Sequence, residues 1–311
     1  MDSMAIAVFS FNRGVFLEHC IKTIEKNAPE LSITIYDDNS DDQFTCSILE
    51  RLSKKYKVKK NIRPEEVEDK TGGLAGCMNM AMRDARDLGI EYILFIQDDM
   101  QLVRPITHDD LSYIDNYFDV ISNTFQISTN FFREINVNTL PQEYYTNIKA
   151  AAYIRHKESE HGKSNFSDTG VFSVSRFYQL FQNFEVGEDV NSMRAISNGL
   201  TLGFSIYPFM CWLPYPLSYR GKKRTPKHLL FEHYGRSGFY PILQMQEEEV
   251  KNLFNRNPEE LPIMERFLHS PSSPRQDVWS TGGGEYNFLA YDGNLAKLYK
   301  IVKNLKRKVS G

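Results

Sequence analysis

Three pairs of adjacent acids, Asp37-Asp38, Asp98-Asp99 and Glu188-Asp189, are the residues of this 311-residue sequence best equipped to do chemistry. Asp98-Asp99 is the most telling. It closes the run Tyr92-Ile93-Leu94-Phe95-Ile96-Gln97, whose apolar, β-branched and aromatic residues predict a strand buried on both faces. Carboxylates cannot stay unpaired inside a core, so both belong at the strand's carboxyl end. In an open α/β sheet that edge faces the crevice where ligands bind. Two adjacent acids there suit Mg2+ or Mn2+, hard cations that commonly reach a protein together with substrate phosphates. A solvated turn after a core strand is the other reading of this pair taken alone. Asp38, at the end of a second strand, can accept hydrogen bonds from a base N–H or a ribose hydroxyl. Ser10 and Asn12 end the first strand. Gly72-Gly73 leaves room for a phosphate or sugar to approach the backbone, and the helix beginning there favours anions. The ligand these features share is a nucleoside diphosphate joined to a sugar.

The elements that must position these residues alternate. Ala5–Ser10 predicts a strand, and beyond Asn12-Arg13-Gly14 the apolar positions Val15, Leu17, Ile21 and Ile24 take helical spacing. Leu31–Tyr36 predicts a second strand, a helix follows from near Asp42, and Tyr56–Ile62 is polar enough for a sheet edge. A helix from Thr71 through Ala85 then leads into Tyr92–Gln97. Repeated strand–helix alternation implies right-handed crossovers and a mainly parallel sheet. Further on, Asp109–Ile121 predicts a helix, Phe125–Phe132 and Thr169–Val174 strands, and Ser175–Phe184 a helix. Residues 134–166 show no clear period and are expected to form loops over a site. Glu188 and Asp189 open a helix over Val190–Ser197, a position the helix dipole favours for acids. Leu200–Leu213 is broken by Gly203 and Pro208 and is expected to give a pair of strands rather than a membrane span.

Composition narrows the partners. A formal net charge of -3 supplies no global basic field, which argues against nucleic acid. The four cysteines have no C-x-x-C spacing and no His/Cys cluster, so scattered free thiols in a reducing cytosol are expected. The first strand begins with no basic leader and apolar stretch before it, so no secretory signal is expected.

In order and spacing, several motifs resemble family-2 glycosyltransferases of the GT-A fold, particularly the spore-coat-type nucleotide-diphospho-sugar transferases. They are Val8-Phe9-Ser10-Phe11-Asn12-Arg13, Tyr36-Asp37-Asp38-Asn39-Ser40, Gly76 with Asn79, Phe95-Ile96-Gln97-Asp98-Asp99, and Glu188-Asp189 with Arg194. The resemblance implies an α/β fold with a Rossmann-like, mainly parallel sheet flanked by helices. It implies that Asp38 recognises the base, that Asp98 and Asp99 form the acidic metal motif with Asp99 as direct ligand, and that Asp189 is the general base of an inverting transfer, with Glu188 beside it on the acceptor side. Three departures stand out. Gln97 replaces the first metal-motif acid, and Met78 replaces an arginine expected to contact phosphate, for which Lys222, Lys223 or Arg224 could compensate. Of the late histidines, His233 fits an extra metal or phosphate contact better than His228.

The expected organisation is a nucleotide-sugar-binding half over 1–105, an acceptor-side half of the same domain over 106–240, and a C-terminal extension over 241–311. The last stretch, Asn294–Val309, spaces Leu295, Leu298, Ile301, Val302 and Leu305 helically among six basic residues and no acid. That pattern suits either a solvated helix face or the anionic inner face of a membrane, where each Lys or Arg contributes about 1 kcal/mol. The expected activity is sugar transfer from a nucleotide-diphospho-sugar donor to a hydroxyl of a glycan or lipid-linked glycan, in polysaccharide biosynthesis. A catalytically idle nucleotide-sugar-binding scaffold is the alternative that Gln97 and Met78 leave open. Donor turnover with Mn2+ separates the two.

Overall fold

The computed structural model describes residues 3–61, 73–133, 143–155, 165–214 and 238–270. Gly72, Lys222, Lys223, Arg224, His228, His233 and the basic segment 294–309 lie outside the described residues.

The amino-terminal third follows the alternation read from the sequence: β1 (Met4–Ser10), α1 (Gly14–Asn27), β2 (Ser32–Asp37), α2 (Gln43–Ser53), β3 (Lys57–Lys60), α3 (Gly73–Asp87) and β4 (Tyr92–Gln97). Asp42 caps α2 by accepting the Thr45 N–H at 2.8 Å. The four strands pair in parallel in the order β3-β2-β1-β4, with the lysine-rich β3 at the edge.

The chain then adds β5 (Met100–Leu102), α4 (His108–Val120), β6 (Gln126–Ser128), β7 (Tyr144–Asn147), β8 (Ala152–Arg155), β9 (Gly170–Ser173), α5 (Val174–Leu180), α6 (Glu188–Ser197), β10 (Gly203–Ser205), β11 (Met210–Trp212), α7 (Glu247–Asn255) and α8 (Met264–Phe267). The nine-stranded sheet runs β3-β2-β1-β4-β9-β6-β10-β8-β7, and β11 pairs separately with β5. β9 and β8 run against the rest. Part of the 134–166 stretch corrects the sequence expectation. Tyr144–Asn147 and Ala152–Arg155 form an antiparallel hairpin at the far edge of the sheet instead of loops. Its register is supplied by long-range pairing of Ala152–Ile154 with β10, which no local period announces.

Two apolar layers cover the sheet. One joins Ile6, Val8, Leu94 and Ile96 to Leu17, Ile21 and Ile24 of α1 and to Ile114 and Tyr117 of α4. The other joins Ala7, Phe9, Ile93 and Phe95 to Met78, Ala81 and Met82 of α3 and to Phe177 of α5. Alternate residues of β1 and β4 therefore serve opposite layers, which explains their nearly unbroken hydrophobicity. On the chain segment after β4, Arg104 is locked by Asp110 of α4 through two charge-assisted hydrogen bonds, at 2.8 and 2.6 Å, while also donating to the carbonyls of Pro208 and Tyr207. Both side chains are almost wholly buried, so this pair ties α4 to the approach to β11.

Candidate active site

The register of the parallel strands sets the first layer of the site. Ser10 lies opposite Asp37, and Phe9 lies opposite Gln97. The Asp38 N–H then donates to the Ser10 carbonyl and the Asp98 N–H to the Phe9 carbonyl, each at 2.9 Å. Asp38 and Asp98 thus leave the sheet on either side of β1, at its carboxyl edge. Ser10 Oγ is buried there without a hydrogen-bond partner among the described residues.

Asn12 takes a left-handed backbone (φ 51°), a conformation Asn tolerates better than most residues. Its side chain donates to Asp41 Oδ1 at 2.7 Å and accepts the Asp41 and Asp42 N–H groups at 2.9 and 3.0 Å. That latch fixes the β1–α1 turn against the β2–α2 turn. Asp37 is fully buried and spends its carboxylate on the Ser40 N–H and hydroxyl, with burial raising its pKa. Asp38 accepts from Asn61 Nδ2 at 3.1 Å, and the same amide donates to the Gly73 carbonyl at the start of α3. A Cβ on Gly76 would stand 2.8 Å from Asn61 Nδ2, so this glycine makes room for Asn61.

Asp98 and Asp99 turn the chain after β4. Asp98 is completely buried and accepts the Phe11 N–H at 3.1 Å. Arg13 bridges the pair, with Nη2 2.5 Å from Asp98 Oδ1 and Nη1 2.5 Å from Asp99 Oδ2. Burial raises the Asp98 pKa to about 7, with Arg13 opposing and the Asp99 charge adding to the rise. Burial also works against the Arg13 charge, and the two carboxylates more than offset it, so the guanidinium stays protonated. Asp99 Oδ1 is buried with no hydrogen-bond partner among the described residues. It is an oxygen donor that a hard cation can use. Among the described residues no three His, Cys, Asp or Glu side chains form a complete metal cage.

β9 brings in an acid that the sequence analysis did not single out. Its antiparallel register sets Gly170 against Phe95, and Asp168, two residues earlier, accepts from Gln97 Nε2 at 2.8 Å. Desolvation pushes the Asp168 carboxyl up to about 7, and the charges of Glu188 and Asp99 add to it. The position left without an acid at Gln97 is thereby flanked by a carboxyl group from the segment leading into β9. Glu188 is itself raised by the surrounding protein and by Asp189. Asp168 thus lies within electrostatic reach of both Asp99 and Glu188.

Three side chains hold the start of α6. Asn79 of α3 exchanges two 2.8 Å hydrogen bonds with the Phe184 backbone, donating to its carbonyl and accepting its N–H. Asn191 accepts the Glu185 N–H and donates to the Glu185 and Gly187 carbonyls. Arg194 donates to the Asn183 and Phe181 carbonyls and lies over the Phe181 ring at 4.4 Å. Gly187 supplies the left-handed backbone (φ 102°) from which the helix departs. Asn79 and Arg194 of the motif set are therefore braces for the segment that leads into Glu188-Asp189.

Met78 is buried in the layer under α3. Asn61 and Asp168 were missed because their partners in space are remote in sequence. The Ser-Asp-Thr-Gly run at 167–170, polar residues entering an apolar strand, is the one local signal that could have flagged Asp168.

The model for glycosyl transferase family 2 matches residues 5–166. The chain belongs to that family, and the match spans the strands carrying Ser10, Asp38, Asp98 and Asp99. Solved structures with similarity include S. aureus TarS, at 15% identity and a TM-score of 0.48 over 81% of this chain and 42% of that one. They also include S. aureus TarS 1-349 in complex with UDP, at 17% identity and a TM-score of 0.45 over 67% and 59%. A third is the mannosyltransferase PcManGT from Pyrobaculum calidifontis in complex with GDP-Man and Mn2+, at 14% identity and a TM-score of 0.40 over 77% and 66%. The chain spans less than two thirds of the length of each. No curated protein matches this sequence. Among the described residues no helix is long and apolar enough to cross a membrane.

Proposed function

We propose that the protein transfers a sugar, with inversion, from a nucleotide-diphospho-sugar to a hydroxyl of a glycan or lipid-linked glycan, in the manner of the spore-coat-type members of its family. The observation that carries this reading is the placement of Asp38 and the Asp98-Asp99 pair on either side of β1 at the carboxyl edge of the sheet, with Asp168 held against Gln97 beside them. Asp38, with Ser10 and Gly73 nearby along the edge, takes the base and ribose side of the donor. Asp98 and Asp99 take the diphosphate side, with Asp99 Oδ1 as the oxygen for Mn2+ or Mg2+. When bound, such a cation stabilises charge developing on the leaving diphosphate.

Asp189, at the exposed start of α6, acts as general base. An alcohol is a poor nucleophile, and the carboxylate accepts its proton as the oxygen bonds to the anomeric carbon and the bond to diphosphate breaks. Glu188 orients the acceptor beside it. The brace formed by Asn79, Asn191 and Arg194 keeps the base from drifting, which matters because effective catalysis requires near-contact geometry. Asp168 weakens the scaffold alternative, since it returns a carboxylate to the side of the site where Gln97 lacks one.

Asp189→Asn is expected to keep donor binding and lose transfer, measured as release of the nucleoside diphosphate in the presence of acceptor and Mn2+. Transfer at the wild-type rate would remove Asp189 from the mechanism. A panel of nucleoside diphosphates and their sugars, with and without Mn2+, identifies the base by thermal shift, because a ligand that binds only the native state raises its apparent stability.

A further inference from the structure

We infer that Arg13 is the resident counter-ion of the Asp98-Asp99 pair, and that it must release Asp99 before a divalent cation can bind there. This rests on the proposed role of Asp99 as a cation ligand. Arg13 contacts one oxygen of each carboxylate at 2.5 Å, and its own side chain is mostly buried. Two adjacent buried carboxylates repel one another, and a guanidinium spanning both is a geometry suited to neutralising them. The same bridge leaves Asp99 with one unpartnered oxygen, Oδ1, beside a fixed positive charge. A cation approaching that oxygen in the free protein meets Arg13 as a like charge.

A diphosphate changes the balance. It offers the guanidinium a partner of higher charge, so Arg13 can transfer from Asp99 to a phosphate oxygen while the carboxylate turns to the cation. This also accounts for the missing arginine at position 78, since Met78 is packed in the core and supplies no phosphate contact. Arg13 is then a donor-positioning residue that couples cation binding to diphosphate binding. Linkage requires the coupling to be reciprocal: nucleotide tightens Mn2+, and Mn2+ tightens nucleotide by the same factor.

The test is Mn2+ titration of the full chain, followed by the electron paramagnetic resonance signal of free Mn2+, with and without UDP or GDP. Wild type is expected to bind Mn2+ at least tenfold more tightly with one of the nucleotides than alone. Arg13→Gln is expected to bind Mn2+ at least tenfold more tightly than wild type without nucleotide, and to show a much smaller nucleotide effect. Arg13→Lys retains the charge but replaces the planar two-pronged guanidinium with a compact ammonium, and should fall between them; circular dichroism verifies that each variant is folded. If folded Arg13→Gln binds Mn2+ no better than wild type while wild type responds to nucleotide, the counter-ion role is wrong and the Asp99 reading survives. Equal Mn2+ affinity of wild type with and without nucleotide also overturns the coupling. Absence of Mn2+ binding in every form overturns both this inference and the role given to Asp99.

Discussion

Asn79→Ala should uncouple the Glu188-Asp189 loop from the sheet layer that supports it. Asn79 makes two 2.8 Å hydrogen bonds to the N–H and carbonyl of Phe184, whose side chain is buried. Truncation removes both partners and leaves two backbone groups poorly solvated. Each such loss costs about 1 to 3 kcal/mol, so destabilisation of about 2 to 4 kcal/mol is expected after partial access of water. Asn79→Asp should be no better, because a carboxylate accepts the Phe184 N–H but sets its second oxygen against the carbonyl. Urea unfolding gives the stability change, and hydrogen exchange at the Phe184 and Glu185 amides gives its location. Transfer should fall with donor affinity nearly unchanged, because the loop carries the proposed base and not the donor contacts. Stability within 0.5 kcal/mol of wild type, together with unchanged exchange at Phe184, would refute the brace.

The remaining expectations concern the buried ion pair, the extra acid, the cation ligand and the carboxyl terminus. Asp110→Asn strips the charge partner from a fully buried Arg104 and should cost about 3 to 5 kcal/mol by denaturant unfolding; a loss under 1 kcal/mol would show the pair to be dispensable. Asp168→Asn should slow transfer yet raise thermal stability. The folded pKa of Asp168 is raised from 3.8 to about 7, so its penalty grows as pH rises through that window, and the gain should be larger at pH 8 than at pH 4. Equal melting temperatures for variant and wild type at pH 8 would contradict this. Asp99→Ala should abolish Mn2+-dependent nucleotide binding by calorimetry, while an unchanged Mn2+ effect would move the ligand elsewhere. Deleting residues 294–311 should reduce co-sedimentation with anionic vesicles; unchanged sedimentation would leave that basic stretch a solvated surface.

How far the sequence alone reached depended on how local the determining physics is. Strands β1, β2 and β4 were legible because their apolar runs end in polar turns, and α2 because Asp42 announces its cap. The acids at those strand ends followed at once, since a charge ending a buried strand has only the sheet edge to occupy. The hairpin β7–β8 was not legible: its residues acquire a strand's environment only by pairing with β10, some fifty residues away in sequence. Asp168 shows the same limit in the site itself. Its partner Gln97 is 71 residues distant, and nothing in either local segment predicts that an antiparallel strand will set them side by side. The functional meaning of Asn79 and Arg13 likewise arose only in three dimensions, where one binds a remote backbone and the other spans two buried carboxylates. Local pattern determined which acids reach the edge of the sheet. Tertiary packing decided which of them feel one another's charge, because electrostatic coupling depends on distance and burial and not on separation along the chain.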